Sequence, residues 1–500
     1  MRALILSVLS AALLCIMAAE ADYAEGVFPS YARSGSGELL SDARCPGGLL
    51  PLESPRGDLV CLRKESAEKL LLRGFEPVSR DALVDLRRPY PRITDPELGI
   101  VTEWGPPPAR PGQRITDPVL DMAAESNRFG VELYKVLARD GGNVFFSPIA
   151  VYLAFSALYE GARGETREQI RDVFGMGLDV EDRRAAAADL LLMLERRNPY
   201  AEMNVRSAML IDDRFEVDGG YADVARMYGT HVGTAAAGSR DLERRMDRWA
   251  GHATGGAITD IVDYGKTAGA ASVVASPVYF DAEWQGWFPR DGSTQYWFGD
   301  TREGGGHKIE YMGELCSCFV TRGEVPHSGI KVSWLQYRDS GLSMLVAAGT
   351  PVSENGSYVR PDLGALEESL TAGGILGWSS KVGLARDLNL VLAKFRSNYS
   401  ADLRDPLREL GLVDVFDAGA SDLAGIGGGV HVGSMVQKGA METGWEGGVH
   451  PWKAHINHRE NDFRGLPPLF FAILHDSTGT ILFMGRVSDH DTSFAPVFLR

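Results

Sequence analysis

From Val119 to Val487 helical periods dominate early and strand-like runs late, in one long block that does not repeat itself. Val119-Leu120, Ala123-Ala124, Phe129, Val131, Leu133-Tyr134 and Val136-Leu137 recur at helical spacing. Asn143-Val-Phe-Phe-Ser-Pro148 reads as a strand ending in a turn, followed by an apolar helix over Ile149–Tyr159. Gly161 and Gly164 break that helix, and Glu165–Ile170 opens the next with Thr166 as its cap. Ala185–Leu194 is strongly helix-forming. Farther on, Ala271–Phe280 and Gly341–Ala348 are short runs of small and apolar residues that suit buried strands. Leu469–Leu474 and Ile481–Val487 flank Asp476-Ser-Thr-Gly479 as a hairpin. Helices first and strands last, in one unrepeated block, predict a single α+β domain over residues 118–490.

The 500-residue chain is longer than one ordinary domain, and the excess lies mostly ahead of that block. Met1-Arg2, the apolar run Ala3–Ala19 and the small-x-small site Ala19-Glu20-Ala21 read as a secretory signal peptide over residues 1–21. No later apolar run is long enough to span a membrane, so the expected mature chain is soluble and extracellular. Residues 22–117 carry Gly35-Ser36-Gly37, Pro46-Gly47-Gly48 and Gly105-Pro-Pro-Pro108, the composition of a loop-rich extension. Ser66–Leu86 has apolar residues at uneven helical spacing and is expected to form a short helix. Arg-Ile-Thr-Asp-Pro occurs at Arg92–Pro96 and again at Arg114–Pro118; two copies fall short of a repeat architecture and read as one turn used twice. Residues 491–500 form a C-terminal tail.

Asp and Glu number 67 against 51 Lys and Arg, and the net charge of −16 excludes a broadly basic surface for nucleic acid. Loss of the leader also removes Cys15 and leaves Cys45, Cys61, Cys316 and Cys318, an even set suited to an oxidising compartment. Three pairings are open: Cys45–Cys61 closes a local loop and is favoured, while Cys316 and Cys318 could instead tie the N-terminal segment to the body. Asn355-Gly-Ser357 and Asn398-Tyr-Ser400 are candidate glycosylation sites. Gly-x-Ser-x-Gly and His-Glu-x-x-His strings and a complete phosphate-binding Gly-x-x-x-x-Gly-Lys-Ser/Thr loop are absent from the sequence, and Cys316-Ser-Cys318 lacks the histidines of a zinc site. An enzyme with its own catalytic residues, a cofactor or a metal is therefore not expected, and the chain is taken as a monomer.

Four ordered blocks resemble the serpin superfamily. They are Asn143–Pro148 with Leu158-Tyr-Glu-Gly-Ala-Arg-Gly-Glu-Thr166 and Gln169-Ile170; Phe280, Trp284, Phe288, Thr294 and Phe298; Asp402-Leu403 through Asp422-Leu-Ala-Gly-Ile426; and Phe470-Phe471 through Val487. The resemblance implies a large twisted sheet covered by helices, with an exposed reactive loop before the last strands. In inhibitory members a protease acylates itself on that loop, and the cut loop inserts into the sheet as a new strand. Such a strand must donate ladder hydrogen bonds and carry small inward side chains.

By resemblance the hinge of this loop is Glu446-Gly447-Gly448, continuing Val449-His450-Pro451-Trp452-Lys453-Ala454, where inhibitory members have Thr and a run of Ala. Alternation that turns Gly448 inward also turns His450 and Trp452 inward, and Pro451 has no N–H for the ladder. The family's hydrogen-bonded Ser, Asn and His cluster corresponds to Ser147, Ser276 and Gln437, with Ala150 in place of a second Ser. These departures point to a secreted, non-inhibitory serpin of the carrier, precursor or protease-substrate type, releasing or carrying a peptide or hormone. The rival reading is a suicide inhibitor of an extracellular trypsin-like serine protease, with Arg459 as candidate bait and Arg464 and Lys453 in reserve. That reading admits a glycosaminoglycan partner. Leu194–Asn198 and Val205–Ser207 resemble the basic helix and following strand of heparin cofactor, so Arg183, Arg184, Arg196, Arg197 and Arg206 form the candidate patch.

Overall fold

The computed structural model describes residues 50–53, 59–62, 76–77, 93–95, 100–102, 115–195, 198, 200–284, 294–298, 307–314, 320–324, 330–338, 340–349, 352–354, 357–359, 363–381, 383–384, 390–393, 396–442, 463–465 and 468–488. The chain divides into two units, Met1–Ile93 with Thr102–Gly105, and Thr94–Val101 with Pro106–Arg500. In the first, β1 (Leu50–Glu53) pairs antiparallel with β2 (Leu59–Leu62) on one side and β3 (Glu76–Pro77) on the other. β3 lies inside Ser66–Leu86, where the sequence predicts a helix. Pro77 cannot donate a helical hydrogen bond but fits an edge strand. β4 (Ile93–Asp95) and β5 (Ile100–Thr102) form a separate two-stranded ladder.

In the second unit α1 (Asp117–Leu137) starts from an extended Thr116 with Pro118 in its first turn. The second Arg-Ile-Thr-Asp-Pro string thus begins a helix, whereas the first contributes β4, so the string does not mark a repeated turn. β6 (Val144–Phe146) ends at Ser147, whose Oγ accepts from Ala150 N at 3.3 Å and caps α2 (Pro148–Gly161). α2 is buried along nearly its whole length and apolar on all sides, as a helix threaded through a core must be. α3 (Gly164–Phe174) begins two residues before Thr166. The threonine therefore falls inside the first turn rather than at the cap, and its Oγ1 accepts from Asp422 N at 2.9 Å. α4 (Val180–Leu194), capped by Asp179, and the short α5 (Tyr221–Met227) follow.

Three larger sheets follow, and α2 packs against strands of the first two. In the first, β20 (Arg396–Asp402), β21 (Val432–Glu442), β10 (Ser272–Ala282), β8 (Ser207–Ile211) and β9 (Thr230–Thr234) lie side by side in that order, and β7 (Ala201–Asn204) pairs the far end of β10. The second runs β18 (Gly383–Leu384), β13 (Val320–Glu324), β14 (Ile330–Gln336), β15 (Leu342–Gly349), β23 (Leu469–His475), β24 (Thr480–Val487) and β6, each neighbour antiparallel. The third is β11 (Thr294–Phe298), β12 (His307–Glu314), β19 (Leu390–Ala393) and β22 (Phe463–Gly465). β16 (Val352–Glu354) and β17 (Ser357–Val359) form a small hairpin. Phe145 of β6 stacks on Phe471 and Phe483, and Phe280 of β10 meets Phe483 at 5.4 Å, so aromatic rings fill the space between the first two sheets.

Pro277 sits in the middle of β10, a central strand, where a missing N–H should break a ladder. The chain avoids the break on that flank. β8 pairs β10 only through Ala275 and β7 only from Tyr279, and the Asn204 side chain donates to Pro277 O at 2.6 Å across the gap. N–H and C=O of one strand residue point the same way, so the proline's lost donor faces this gap and leaves the other edge of β10 intact.

Candidate functional site

That other edge of β10 pairs with β21 in parallel, from Ser272 opposite Val432 to Phe280 opposite Met441, with one register shift after Ser272. Because the two strands are parallel, a strand laid between them has the same orientation to both, and one that arrives antiparallel pairs antiparallel on each side. A chain leaving β21 after Glu442 needs a single reversal to take that direction.

The junction is tied at several levels. At its start Ser272 Oγ donates to His431 O at 2.9 Å. Midway, Ser276 and Gln437 face each other in register, and both are fully buried. The Gln437 carboxamide accepts from Ser147 N at 2.8 Å and donates to Ser147 O at 3.3 Å and to Ser276 Oγ at 3.4 Å. Every heteroatom of the amide is used, and none of the three side chains titrates near neutral pH. Beyond this, Gly439 lies beneath the Phe145 ring, and a Cβ there would stand 2.4 Å from Phe145 Cδ1.

On the outer face, Lys438 Nζ reaches Asp260 Oδ1 at 2.7 Å and Asp260 O at 3.2 Å. Asp260 belongs to the strap that joins α6 (Arg240–Ala253) to β10. The strap is fastened in turn to Asp247 of α6, whose carboxylate accepts from Ile261 N and Val262 N, while burial pushes its pKa up. At the far end of β10, Trp284 stacks on Tyr337 at 4.3 Å and Phe280 meets the same ring edge-on at 5.0 Å. Burial, and then Asp281, hold the Tyr337 hydroxyl far above its usual range.

Nothing in this arrangement resembles a nucleophile and its base, and among the described residues no group of three His, Cys, Asp or Glu side chains is placed to hold a metal. A strand entering at this place would have to replace the β10–β21 ladder. Sequence reasoning identified the Ser147, Ser276 and Gln437 cluster, and the structure brings all three together. It missed Asp260 and Lys438, which lie 178 residues apart and carry no local signal. It also missed the close approach at Gly439, for which a glycine inside an apolar strand was the available cue.

The hinge Glu446, Gly447, Gly448, His450, Pro451 and Trp452, the bait Arg459, Asn355 and Cys45, Cys316 and Cys318 lie outside the described residues. Cys61 is on β2 opposite Pro51, and Asn398 is on β20 opposite Ala440. Arg464 is not in a free loop. It is the central residue of β22, in parallel register with Val391, so its peptide bond is held in the third sheet rather than offered to a protease.

The arginine patch is also redrawn. Arg183 is 1% exposed, donates to Leu178 O at 2.8 Å and lies over the Tyr159 ring, so it presents no charge to solvent. Arg184 chelates Glu160, which also accepts from Tyr228 OH at 2.6 Å, and Arg206 is paired with Glu195. Tyr159 and Glu160 on α2 and Glu195 at the end of α4 draw these guanidinium groups inward. Arg196 and Arg197 lie outside the described residues. No helix among the described residues is long and apolar enough to cross a membrane.

Comparison with known proteins matches residues 124–490 to the family model described as Serpin (serine protease inhibitor). A leukocyte elastase inhibitor of Xenopus tropicalis is 25% identical over 384 residues, covering 74% of this chain and 99% of the relative. An uncharacterized serpin-like protein of Thermococcus kodakarensis is 27% identical over 382 residues, covering 72% of this chain and 84% of the relative. The crystal structure of native protease nexin-1 with heparin superposes with a TM-score of 0.64 at 21% identity, covering 74% of this chain and all of that one.

Proposed function

This chain belongs to the serpin family, and from that premise we propose that it is a secreted serpin which proteases cleave without being trapped, a carrier, precursor or substrate-type member. One observation carries the reading. The segment that would have to enter the β10–β21 junction is Val449-His450-Pro451-Trp452-Lys453, and the inner face of that junction is filled to the point that Gly439 has no room for a Cβ. Strand alternation admits two choices, and both fail. One turns His450 and Trp452 inward; an unpaired imidazole costs about 1–3 kcal/mol, and an indole forced into a packed layer costs roughly as much again. The other turns Pro451 and Lys453 inward and buries an unpaired ammonium, at a cost of several kcal/mol. In either case Pro451 leaves one carbonyl of the ladder without a donor. Slow insertion has the same consequence as none, because the acyl-enzyme hydrolyses first. The apolar leader over Met1–Ala21 supports export.

A second reading, a protease inhibitor, is favoured by the relatives named leukocyte elastase inhibitor. The test is incubation of the purified protein with trypsin and elastase followed by denaturing gels and a melting curve. Cleavage with no SDS-stable complex and an unchanged melting temperature is the expected result. A stable complex, or a large rise in melting temperature after cleavage, selects the inhibitor.

A further inference from the structure

The first sheet ends on one side at β20, and among the described residues no strand pairs the outer side of β20. Its inner neighbour is β21, in antiparallel register from Arg396 opposite Glu442 to Asp402 opposite Val436. Alternate positions of β20 have opposite surroundings. Tyr399 and Ala401 pack against the core, whereas Ser400 and Asp402 are exposed. With a period of two, position 398 belongs to the series of 400 and 402, on the face turned away from the core. Asn398-Tyr-Ser400 therefore places an N-glycosylation signal on the outer series of an unpaired strand. An open edge is a template for a strand of another molecule, and natural sheets protect such edges with charge, bulges or cover. β20 carries charge only at its two ends, Arg396 and Asp402, and none over Ser397–Ala401.

We infer that Asn398 carries an N-linked oligosaccharide and that this glycan covers the β20 edge. The inference rests on the export reading, because the donor is a lipid-pyrophosphate-linked oligosaccharide of the secretory pathway. In the transfer the Asn398 amide nitrogen bonds the anomeric carbon of the first sugar. The bond from that carbon to the pyrophosphate oxygen breaks, the lipid pyrophosphate leaves with the electron pair, and the amide gives up one proton to a base. Ser400 supplies the hydroxyl half of the signal. Folding then leaves the modified position on the outer series, where a bulky solvated group displaces no packing. One residue along, in the series of Tyr399, the same group would have to enter the core, so strand parity is what makes the site usable.

The test uses the whole mature chain behind a borrowed leader, secreted from cultured animal cells, beside the chain with its own residues 1–21. Peptide mass mapping is expected to find Asn398 occupied, and converted to Asp when a peptide-N-glycosidase releases the sugar. Asn398→Gln and Ser400→Ala should each lose this glycan, and Ser400→Thr should keep it. Release from the folded protein should need no denaturant. The released protein should then associate with rising concentration in size-exclusion chromatography, as should Ser400→Ala, while the glycosylated chain stays monomeric. An unmodified Asn398 in the secreted chain overturns the inference, and so does a glycan that only denaturant makes accessible. Stripped and Ser400→Ala proteins that remain monomeric overturn the covering role. Occupancy behind the borrowed leader, with no export by residues 1–21, sinks the export reading while upholding the site.

Discussion

Gln437 and Ser147, 290 residues apart, pair as two peptide groups would: the carboxamide of one accepts from the backbone N–H and donates to the backbone C=O of the other. A side chain on β21 thereby extends the hydrogen bonding of the turn between β6 and α2, and one residue anchors the first sheet to the central helix. Gln437→Ala removes the anchor and strands the buried Ser147 N–H, while Ser147 O keeps its bond from Val151 N; the loss costs about 1–3 kcal/mol. The expected outcome is a melting temperature lower by several degrees. Unchanged thermal and urea transitions would show that water replaces the amide at no cost.

Gly439 should tolerate no side chain while Phe145 keeps its position. Gly439→Ala places a Cβ 2.4 Å from Phe145 Cδ1, and overpacking of this kind costs about 1–3 kcal/mol. Phe145→Leu is destabilising by itself, because the ring stacks on Phe471 and Phe483. In the double variant the two costs should fall short of additive, since the leucine makes the space that the alanine needs. A double-mutant cycle from chemical denaturation reads the coupling, and strict additivity would mean that the ring does not oppose the Cβ.

Much of this site was legible in the sequence because its signals are local. Ser147 and Pro148 mark a helix start within two residues, and the turn Asp476–Gly479 predicts the pairing of β23 with β24. The fate of Thr166 was not legible: its capping chemistry is local, but its partner Asp422 N is 256 residues away. Pro277 reads as an argument against a central strand, and only the interruption between β7 and β8 with Asn204 bridging it reconciles the two. The arginines of α4 and α6 look alike as sequence. What separates them is where their carboxylates lie: Glu160 on the neighbouring α2 takes Arg184, whereas Asp241 on α6 itself takes Arg244 and Arg245.

Asp212, just past β8, makes stability depend on acid pH. Arg214, through its side chain and its backbone N–H, and then Ala237 N hold the carboxylate ionised, lowering its pKa to about 2. The folded state therefore binds fewer protons than the unfolded state between the ordinary aspartate value of about 4 and about 2. Its contribution is complete above pH 4 and is lost as pH falls through 2. Asp212→Asn should flatten the stability profile in that window and leave its shape above pH 5 unchanged. An identical acid limb in the variant and the native protein would assign the loss to other carboxylates.

The last prediction concerns the hinge. If bulk, a missing N–H and a charge keep Val449–Lys453 out of the β10–β21 junction, then small side chains with complete donors should let the segment in. The variant with Val449→Thr, His450→Ala, Pro451→Ala, Trp452→Ala and Lys453→Ala removes all three obstacles at once. The tie at Gln437 and the strap held by Asp260 and Lys438 stay as they are. Trypsin should then yield an SDS-stable complex where the native chain yields only cleaved protein, and the cleaved variant should melt well above the uncleaved one. Restoring Pro451 alone should lower the yield of complex, because one lost ladder bond slows insertion without forbidding it. If the fully substituted variant is still cleaved without a complex, the barrier lies in the junction itself, and the combination with Gln437→Ala is the variant that should lower it.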